Sequence, residues 1–274
     1  MKVCGIVVTY YPDIQECVRN IRQYIDGIDH LIIWQNTPHD DLLNYNLKGL
    51  DEYADKIEFK GTGKNEGISY ALNYALNYAY DNGYTHLLTM DQDSYWIDFS
   101  KYINSVSDID TKALCGPRIN NEDVAPQSIE PEYIITSGMI VPVKEVMAIG
   151  GYEKNFIVDG IDTDLCYKAK EAGIKILKIT EGKLCQKFGT PQKKRFLYKE
   201  FSTPGYSAFR LYGIARNHVI IIRKYKTSFS FKKDVIKRFI LLFSLKILLG
   251  DSNKREKLSA LWRGVLHGLK YRIK

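Results

Sequence analysis

The first ninety residues alternate between short apolar, β-branched runs and amphipathic helical patterns. Runs at 3–9, 30–34, 57–59 and 86–90 predict strands, and the patterns at 13–25 and 68–82 predict helices. This order is typical of an α/β fold with a mostly parallel central sheet and helices on both faces. In such sheets ligands bind at the carboxyl ends of the strands. The order of elements therefore predicts where a functional site would lie.

The second half of the chain is predicted to be mixed. Short runs at 113–116, 134–141 and 175–179 predict strands, and the pattern at 162–172, closed by Gly173, predicts a helix. From Phe231 onward the pattern is helical with a wide apolar face. We expect a main domain at 1–225 and a basic amphipathic helical extension at 226–274.

The net charge of +7 is concentrated near the C-terminal end. Residues 223–274 hold fifteen Lys and Arg against three acids, a balance of +12, which leaves −5 for the other 222 residues. A general nucleic-acid-binding role is therefore disfavoured, and no nucleic-acid partner is expected. Lysines and arginines beside apolar residues such as Phe239 and Leu242 suit two alternatives, an anionic membrane surface or a packed helical pair with solvated lysines.

Neither a signal peptide nor a membrane span is expected from the sequence. No run of about 18 uncharged apolar residues occurs, and the run at 3–9, stopped by Pro12, fits a first strand better than a signal peptide. The five cysteines are odd in number and form no C-x-x-C, which favours reduced packing residues. We therefore expect a cytoplasmic protein, either free or bound peripherally to the inner face of the cell membrane.

The run at 87–90 leads directly into Asp91, Gln92 and Asp93. Two carboxylates with one residue between them, at the end of a buried strand, can face one ligand and repel each other unless a cation lies between them. Oxygen ligands of this kind suit Mg²⁺ or Mn²⁺. The alternative is an aspartate-rich turn without a ligand.

Two further segments carry residues suited to chemistry. In KNEGISYALN (64–73), Asn65 and Gly67 precede a helix whose N-terminus favours an anion, unless they only form the turn and the cap. In FIVDGIDTDLCYKA (156–169), Asp159, Asp162 and Asp164 precede or open a helix. One of these acids can be a general base, and one can be a helix cap.

An ordered set of stretches resembles the family 2 glycosyltransferases, which have the GT-A (Rossmann-like) fold, and especially the subgroup usually called rhamnosyltransferases. The stretches are VVTYYPD (7–13), MDQDS (90–94), TSGMIV (136–141) with GGY (150–152), and FIVDGIDTDLCYKA (156–169); YGIARN (212–217) also fits. The resemblance covers residues 3 to about 225. The set in this order is more specific than any one stretch.

The resemblance implies a role for each matching residue. It implies a nucleotide-sugar site formed by Thr9, Tyr11, Asn36, Asn65, Gly67, Asp91, Gln92, Ser137 and Gly138. Asp91 and Asp93 would be the D-x-D pair that holds Mg²⁺ or Mn²⁺, and Asp162 would be the general base. Two places depart from the family pattern. Gln35-Asn36 stands where relatives often carry an acid pair or Asp-Asn, of which an Asp hydrogen-bonds the base. Gln186, which can offer an oxygen as a weaker metal ligand, stands where a metal-binding His is common.

The activity implied by the resemblance is metal-dependent, inverting transfer of rhamnose or a hexose to a hydroxyl of a growing surface glycan. Expected partners are a nucleotide-sugar donor, dTDP-rhamnose or a UDP-hexose, and a glycan acceptor that can be lipid-linked. One alternative is a degenerate domain that binds a glycan or a partner enzyme without catalysis. A nucleotidyltransferase is disfavoured because VVTYYPD lacks the glycine- and arginine-rich phosphate loop that such enzymes carry after their first strand.

Overall fold

The computed structural model describes residues 1–38, 49–109, 112–120, 130–187, 189, 192–196, 198–203 and 205–273. These residues group into two compact units. The first comprises residues 1–155 and 162–186, and the second comprises 156–161 and 187–274. The domain division expected at residue 225 stays a prediction.

The first unit is built on one mixed sheet. Its strands are β1 (Val3–Thr9), β2 (His30–Gln35), β3 (Ile57–Gly61), β4 (His86–Asp91), β5 (Tyr95–Trp96), β6 (Leu114–Ile119), β7 (Met139–Pro142) and β8 (Ile176–Cys185). They lie in the order β3-β2-β1-β4-β7-β6-β8-β5. The pairs β3–β2, β2–β1, β1–β4 and β6–β8 are parallel, while β7 and β5 pair antiparallel with their neighbours. The expected α/β fold with a mostly parallel sheet is confirmed.

The expected strand at 134–141 is shorter in the structure and begins only at Met139. The cause is a turn at Ser137 and Gly138, where Gly138 adopts a positive φ of 78°. That backbone conformation is incompatible with a continuous strand and favours glycine. The turn lies at the carboxyl edge of the sheet, because the N–H of Gly138 donates to the carbonyl of Thr89 near the end of β4 (2.7 Å).

Helices flank the sheet of the first unit. They are α1 (Ile14–Ile21), α2 (Ile68–Asp81), α3 (Phe99–Ser107), α4 (Val143–Ala148) and α5 (Ile161–Glu171), of which Ile161 falls in the second unit. As expected, Asp13 caps α1 by accepting a hydrogen bond from the N–H of Glu16. Gly83, with a φ of 70°, follows the end of α2.

Alternating strand residues divide the core between the two faces of the sheet. Val7, Ile33 and Met90 belong to one buried cluster with Cys17 of α1 and Tyr102 of α3. The opposite residues of the central strands point to the other face, and α2 packs on β1 and β4. The strands are thus buried on both sides, and their polar ends are left at the edge of the sheet.

The cysteines are packing residues, as expected. All five thiols are free, and Cys4, Cys17, Cys115 and Cys166 are buried. Burial raises the pKa of each of these four thiols to about 12. A thiol that stays protonated at neutral pH is a poor nucleophile. None of these four is therefore suited to nucleophilic catalysis.

The second unit contains a β-hairpin and a helical assembly. The hairpin is β9 (Gln192–Phe196) with β10 (Lys199–Thr203), and the helices are α6 (Ala208–Lys224), α7 (Phe229–Asp234), α8 (Phe243–Gly250) and α9 (Lys254–Lys270). A π-helical segment at Val235–Leu242 joins α7 to α8. The helical pattern expected from Phe231 onward is confirmed.

Helix α9 packs on α6 through two glycines. A Cβ at Gly264 would come within 2.5 Å of the carbonyl oxygen of Tyr212, and one at Gly268 within 2.7 Å of that of Arg216. Only glycine permits so close an approach of the two backbones. In the part of the chain that the structure describes, none of the helices combines the length and apolarity needed to cross a bilayer.

Candidate active site

The end of β4 carries the D-x-D pair to the carboxyl edge of the sheet. The backbone N–H of Asp91 donates to Oγ of Ser137 (3.2 Å), and Oδ2 of Asp91 accepts a hydrogen bond from Nε2 of Gln186 (2.7 Å). Three residues predicted for the site are therefore brought together from distant parts of the chain. Asp93 lies in the turn before β5 and is partly buried.

Gln92, which lies between the two aspartates, forms hydrogen bonds with the backbone of Tyr10. Its Oε1 accepts from the N–H of Tyr10 (2.7 Å), and its Nε2 donates to the carbonyl of Tyr10 (3.1 Å). In addition, the side chain of Asn20 donates to the carbonyl of Gln92 (3.2 Å). Gln92 therefore braces the loop after β1, and its expected contact with the nucleotide-sugar stays a prediction.

The loop after β1 exposes two tyrosine rings. Tyr10 and Tyr11 are 48% and 51% exposed, and their rings meet edge to face with centroids 4.6 Å apart. Tyr11 has a φ of 44°, which costs a bulky residue about 1–3 kcal/mol and tends to occur at functional sites. Its N–H donates to Oγ1 of Thr37 (2.9 Å), so this strained turn is held from two sides.

Thr9 and Asn36 tie the ends of β1 and β2 together. Thr9 is buried and its hydroxyl donates to the carbonyl of Trp34 (3.1 Å), while the N–H of Asn36 donates to the carbonyl of Thr9 (2.8 Å). Oδ1 of Asn36 accepts from the indole of Trp34 (3.1 Å) and from the N–H of Glu66 (3.3 Å). The Asn36 carbonyl oxygen is thus used structurally, and any nucleotide contact would fall to its amide nitrogen.

Asn65 and Gly67 shape the turn into α2. Oδ1 of Asn65 accepts from the N–H of Gly67 (3.0 Å), and Gly67 has a φ of 82°. Among the described residues, no side chain caps the N-terminus of α2, and its first turn holds no acid. A helix N-terminus without a capping side chain favours an anion.

The Ser137–Gly138 turn is rigid. Ser137 is fully buried, and the carbonyl of Gly138 accepts a hydrogen bond from the hydroxyl of Tyr102 (2.8 Å). A Cβ at Gly138 would lie 2.7 Å from Cγ of Pro117. The backbone is therefore fixed beside Asp91, as a platform under a bound sugar would require.

Asn120 holds Gln186 in place and was not identified from the sequence. Its Oδ1 accepts from the N–H of Gln186 (3.0 Å), and its Nδ2 donates to the carbonyl of Gln186 (3.1 Å). Asn120 has a φ of 51°, a conformation that asparagine tolerates better than most residues. Because the two residues are 66 positions apart, local sequence patterns could not reveal this pairing.

The oxygen atoms available at this edge of the sheet are suited to a divalent cation such as Mg²⁺ or Mn²⁺. Within the described residues, no three His, Cys, Asp or Glu side chains are grouped as a metal site. However, Oε1 of Gln186 is buried and has no hydrogen-bond partner in this part of the chain. An unsatisfied amide oxygen on a side chain bonded to Asp91 adds to the carboxylates of Asp91 and Asp93. Mg²⁺ and Mn²⁺ bind such oxygens.

The three acids at 159–164 have different surroundings. Asp159 forms a two-pronged pair with Arg210, with N–O distances of 3.0 to 3.3 Å. Asp164 is fully buried and lies 3.7 Å from Nζ of Lys168. Asp162, in the first turn of α5, is only partly buried and accepts from the N–H of Thr163 (2.7 Å). Of the two acids on α5, Asp162 is the one that reaches solvent.

The chain is similar in sequence or in fold to several known proteins. No family model matches the chain. The dTDP-rhamnosyl transferase RfbF of Shigella flexneri is 22% identical over 294 aligned positions, which cover 98% of this chain and 95% of that protein. A structure of GalNAc-T7 with UDP, GalNAc and Mn²⁺ matches 98% of this chain with a TM-score of 0.62 and 11% identity.

A further structure, the mannosyltransferase PcManGT from Pyrobaculum calidifontis with GDP-Man and Mn²⁺, matches the whole chain with a TM-score of 0.60 and 14% identity. The chain has the GT-A fold of the glycosyltransferases. The expected fold and the expected enzyme class, glycosyltransferase, are confirmed, and the similarity to a dTDP-rhamnosyl transferase agrees with the resemblance noted in the sequence. The matched region covers 56% of the length of the GalNAc-T7 chain and 76% of the PcManGT chain.

Proposed function

We propose that this GT-A glycosyltransferase moves a sugar, with inversion, from a nucleotide-diphosphate donor to a hydroxyl of a growing surface glycan. Use of a nucleotide-sugar donor is supported by the relatives, which include a dTDP-rhamnosyl transferase and a structure with bound GDP-Man. The observation that carries the proposal is the junction of Asp91, Ser137 and Gln186 at the carboxyl edge of the sheet. A dTDP-rhamnose donor accords with the named relative, and a UDP-hexose is the alternative.

The nucleotide would lie over the ends of β1 and β2. The exposed ring of Tyr11 offers a stacking surface for a base. The hydrogen bonds of Gln92 to Tyr10 and of the Tyr11 N–H to Thr37 hold the loop that carries this ring. Thr9 and Asn36 form the floor of the pocket, and Asn65 and Gly67 form its wall beside the N-terminus of α2. This N-terminus favours the negative charge of the diphosphate.

The departing diphosphate would be held near Asp91 and Asp93. A bound Mg²⁺ or Mn²⁺ would supply positive charge for the diphosphate as its bond to the sugar breaks. Asp91, Asp93 and Gln186 would hold this cation through oxygen atoms. Asn120 fixes the backbone of Gln186, and Ser137 fixes the backbone of Asp91, so both side chains start from rigid positions.

Asp162 would act as the general base. The acceptor hydroxyl attacks the anomeric carbon, its proton passes to the Asp162 carboxylate, and the electron pair of the breaking bond leaves with the diphosphate. Direct displacement inverts the configuration and needs no carboxylate nucleophile. Asp162 suits this role because it is partly exposed, whereas Asp159 is paired with Arg210 and Asp164 is buried.

One observation favours a second function, a glycan- or partner-binding domain without catalysis. The hydrogen bond from Gln186 occupies Oδ2 of Asp91, and a glutamine is a weaker metal ligand than the histidine common at this position. If this bond persists with nucleotide bound, the cation would lack one ligand, and transfer would be lost while binding remained.

The C-terminal helices would bind peripherally to the membrane that holds a lipid-linked acceptor. Trp262, Leu266 and Leu269 are 45–54% exposed and share one face of α9. At 100° per residue this face lies opposite Gly264 and Gly268, which pack on α6. Arg263 and Lys270 are exposed along one border of this face, and Arg255 is exposed in the first turn of α9. An apolar stripe with basic neighbours complements an anionic lipid surface.

Turnover tests the proposed function most simply. Purified protein is incubated with dTDP-rhamnose or UDP-hexoses and an acceptor glycan, with Mn²⁺ or with EDTA, and released nucleoside diphosphate is measured. Release that requires both acceptor and Mn²⁺ supports a metal-dependent transferase. Binding of the nucleotide-sugar without release, in every donor and acceptor combination, supports the non-catalytic alternative.

A further inference from the structure

Arg118 of β6 is an unexplained cation near the candidate active site. Its Nε is buried and has no hydrogen-bond partner, and no carboxylate within the described residues forms an ion pair with Arg118. Arg118 as a whole is half-buried. Its buried Nε–H has nevertheless lost water without gaining a hydrogen-bond partner, which lowers the stability of the folded protein. An unsatisfied buried group of this kind calls for a partner that the protein itself does not supply.

The strand positions Arg118 at the carboxyl edge of the sheet. β6 runs parallel to β8, and Arg118 is the penultimate residue of β6. The preceding residue, Pro117, lies against Gly138 of the turn beside Asp91, since a Cβ on Gly138 would be 2.7 Å from its ring. Two residues after Arg118, Asn120 forms two hydrogen bonds with the backbone of Gln186. Arg118 therefore lies between two structural supports of the candidate site.

Alternation along β6 puts Arg118 on the face of the sheet opposite to Cys115 and Ile119, although the pairing of β6 with β8 shifts register between Pro117 and Arg118. Cys115 and Ile119 belong to the buried cluster on the other face. Gly116 shares the face of Arg118, and a Cβ there would meet the side chain of Ile134 at 2.9 Å. The carbonyl of Ile134 accepts a hydrogen bond from the thiol of Cys166 on α5 (3.8 Å).

The first turn of α5 lies toward the same edge. The chain that follows α5 lies at the opposite, amino edge, because the N–H of Leu114, the first residue of β6, donates to the carbonyl of Lys175 (2.8 Å). Helix α5 therefore runs away from the carboxyl edge. Asp162 is one turn before Cys166, the residue bonded to Ile134, so Asp162 lies nearer to the carboxyl edge. Arg118 and the proposed base thus share one face and one edge of the sheet.

We propose that Arg118 binds a phosphate group of the substrates at this edge. The inference rests on the proposed function and names a phosphate-binding residue for it. A guanidinium offers several N–H donors in a planar fork that matches a phosphate, and its charge does not depend on pH in the physiological range. The phosphate can come from the nucleotide donor or from a lipid diphosphate that carries the acceptor. Binding would restore the partner that Nε lacks.

The test compares Arg118→Met and Arg118→Lys with the wild type and with a control, Arg22→Met. Arg22 is an exposed arginine that pairs with Glu52 away from the carboxyl edge. Isothermal titration with Mn²⁺ uses dTDP, UDP, inorganic pyrophosphate and farnesyl diphosphate as probes, and thermal unfolding is followed without ligand. The nucleotide arms report on the donor, and farnesyl diphosphate reports on a lipid-linked acceptor.

We expect Arg118→Met to weaken at least one phosphate probe by about 10- to 100-fold, the loss of a charge-assisted hydrogen bond. Arg118→Lys should fall between it and the wild type. Without ligand, Arg118→Met should unfold at the same or a higher temperature than the wild type, because an unsatisfied buried hydrogen-bond donor has been removed. Unchanged affinity for all probes, or a lower midpoint with unchanged affinity, would overturn the inference. Wild-type protein that binds no phosphate probe would contradict both this inference and the proposed function.

Discussion

The amide nitrogen of Gln186 lies 2.7 Å from Oδ2 of Asp91, so the residue that follows β8 is bonded directly to the residue that ends β4. The two residues are 95 positions apart. The same Gln186 side chain leaves Oε1 buried without a hydrogen bond within the described residues. One amide thus supports a carboxylate and also offers an unsatisfied oxygen beside it. This relationship links the proposed cation site to specific substitutions.

Changing Gln186 should alter metal-linked nucleotide binding. In Gln186→Ala the oxygen ligand is lost, and we expect dTDP or UDP affinity in Mn²⁺ to fall about tenfold. Gln186→His offers an imidazole nitrogen, a good Mn²⁺ ligand, and should retain or increase that affinity. Titrations with and without Mn²⁺ measure the effect, with the metal-free series as control. Equal affinity of Gln186→Ala and wild type in Mn²⁺ would exclude Gln186 as a ligand.

Removing the brace on Tyr10 should weaken nucleotide binding even without metal. Gln92→Leu deletes both hydrogen bonds to the Tyr10 backbone, so the strained Tyr11 turn loses one of its two supports. We expect weaker binding of the metal-free nucleoside monophosphates dTMP and UMP, by severalfold, with a small fall in the unfolding temperature. Thr37→Val, which removes the acceptor for the N–H of Tyr11, should act similarly.

The matched comparison for Gln92 is Gln92→Glu, which keeps an acceptor for the Tyr10 N–H but loses the donor to its carbonyl. An intermediate loss is expected. If all three variants bind dTMP and UMP as the wild type does while unfolding earlier, the brace only stabilises the fold.

Many strands and helix boundaries of the fold could be predicted from local sequence patterns. The buried run at 86–90 that ends in Asp91 predicted both a central strand and a polar strand end, because burial on both faces leaves only the edge for charged groups. Asp13 and Gly83 marked helix boundaries through backbone chemistry that depends on a few neighbouring residues.

Long-range pairing could not be read in the same way. The antiparallel insertion of β7 between β4 and β6 and the grip of Asn120 on Gln186 join segments far apart in the chain. The role of Gln92 as a brace depends on the backbone of Tyr10, 82 residues away. That Nε of Arg118 lacks a hydrogen-bond partner also depends on its surroundings in the fold, which the local sequence at 116–119 does not reveal.

Asp162→Asn should abolish transfer while donor binding persists. Asparagine keeps the size of the side chain but cannot take a proton, and loss of a general base lowers the rate by about 10² to 10⁴. The loss should fall on kcat rather than on donor Kd. Asp159→Asn and Asp164→Asn serve as comparisons and should mainly lower stability, because these acids are paired with Arg210 or buried beside Lys168. Near-normal turnover in Asp162→Asn, with collapse in a neighbour, would move the base to that neighbour.

The exposed face of α9 should bind anionic vesicles. The double variant Leu266→Ser with Leu269→Ser removes apolar area without changing charge, and we expect it to lose cosedimentation with phosphatidylglycerol vesicles at low salt. The control is Tyr80→Ser, which removes a side chain that is 50% exposed on α2 in the first unit. Binding of the wild type should weaken as salt increases. Wild-type protein that ignores these vesicles, or a double variant that binds equally well, would show that this face does not contact lipid.

The most direct measurement of the central claim is isothermal titration of dTDP and UDP into wild type and Asp93→Ala, each with Mn²⁺ and with EDTA. The wild type should bind at least one nucleotide more tightly in Mn²⁺ than in EDTA, because the cation joins the diphosphate to the carboxylates. Asp93→Ala should lose that difference while keeping the weak metal-free affinity and the wild-type fold by circular dichroism. The same Mn²⁺-dependent gain in Asp93→Ala as in the wild type would contradict a nucleotide-sugar site built on the end of β4.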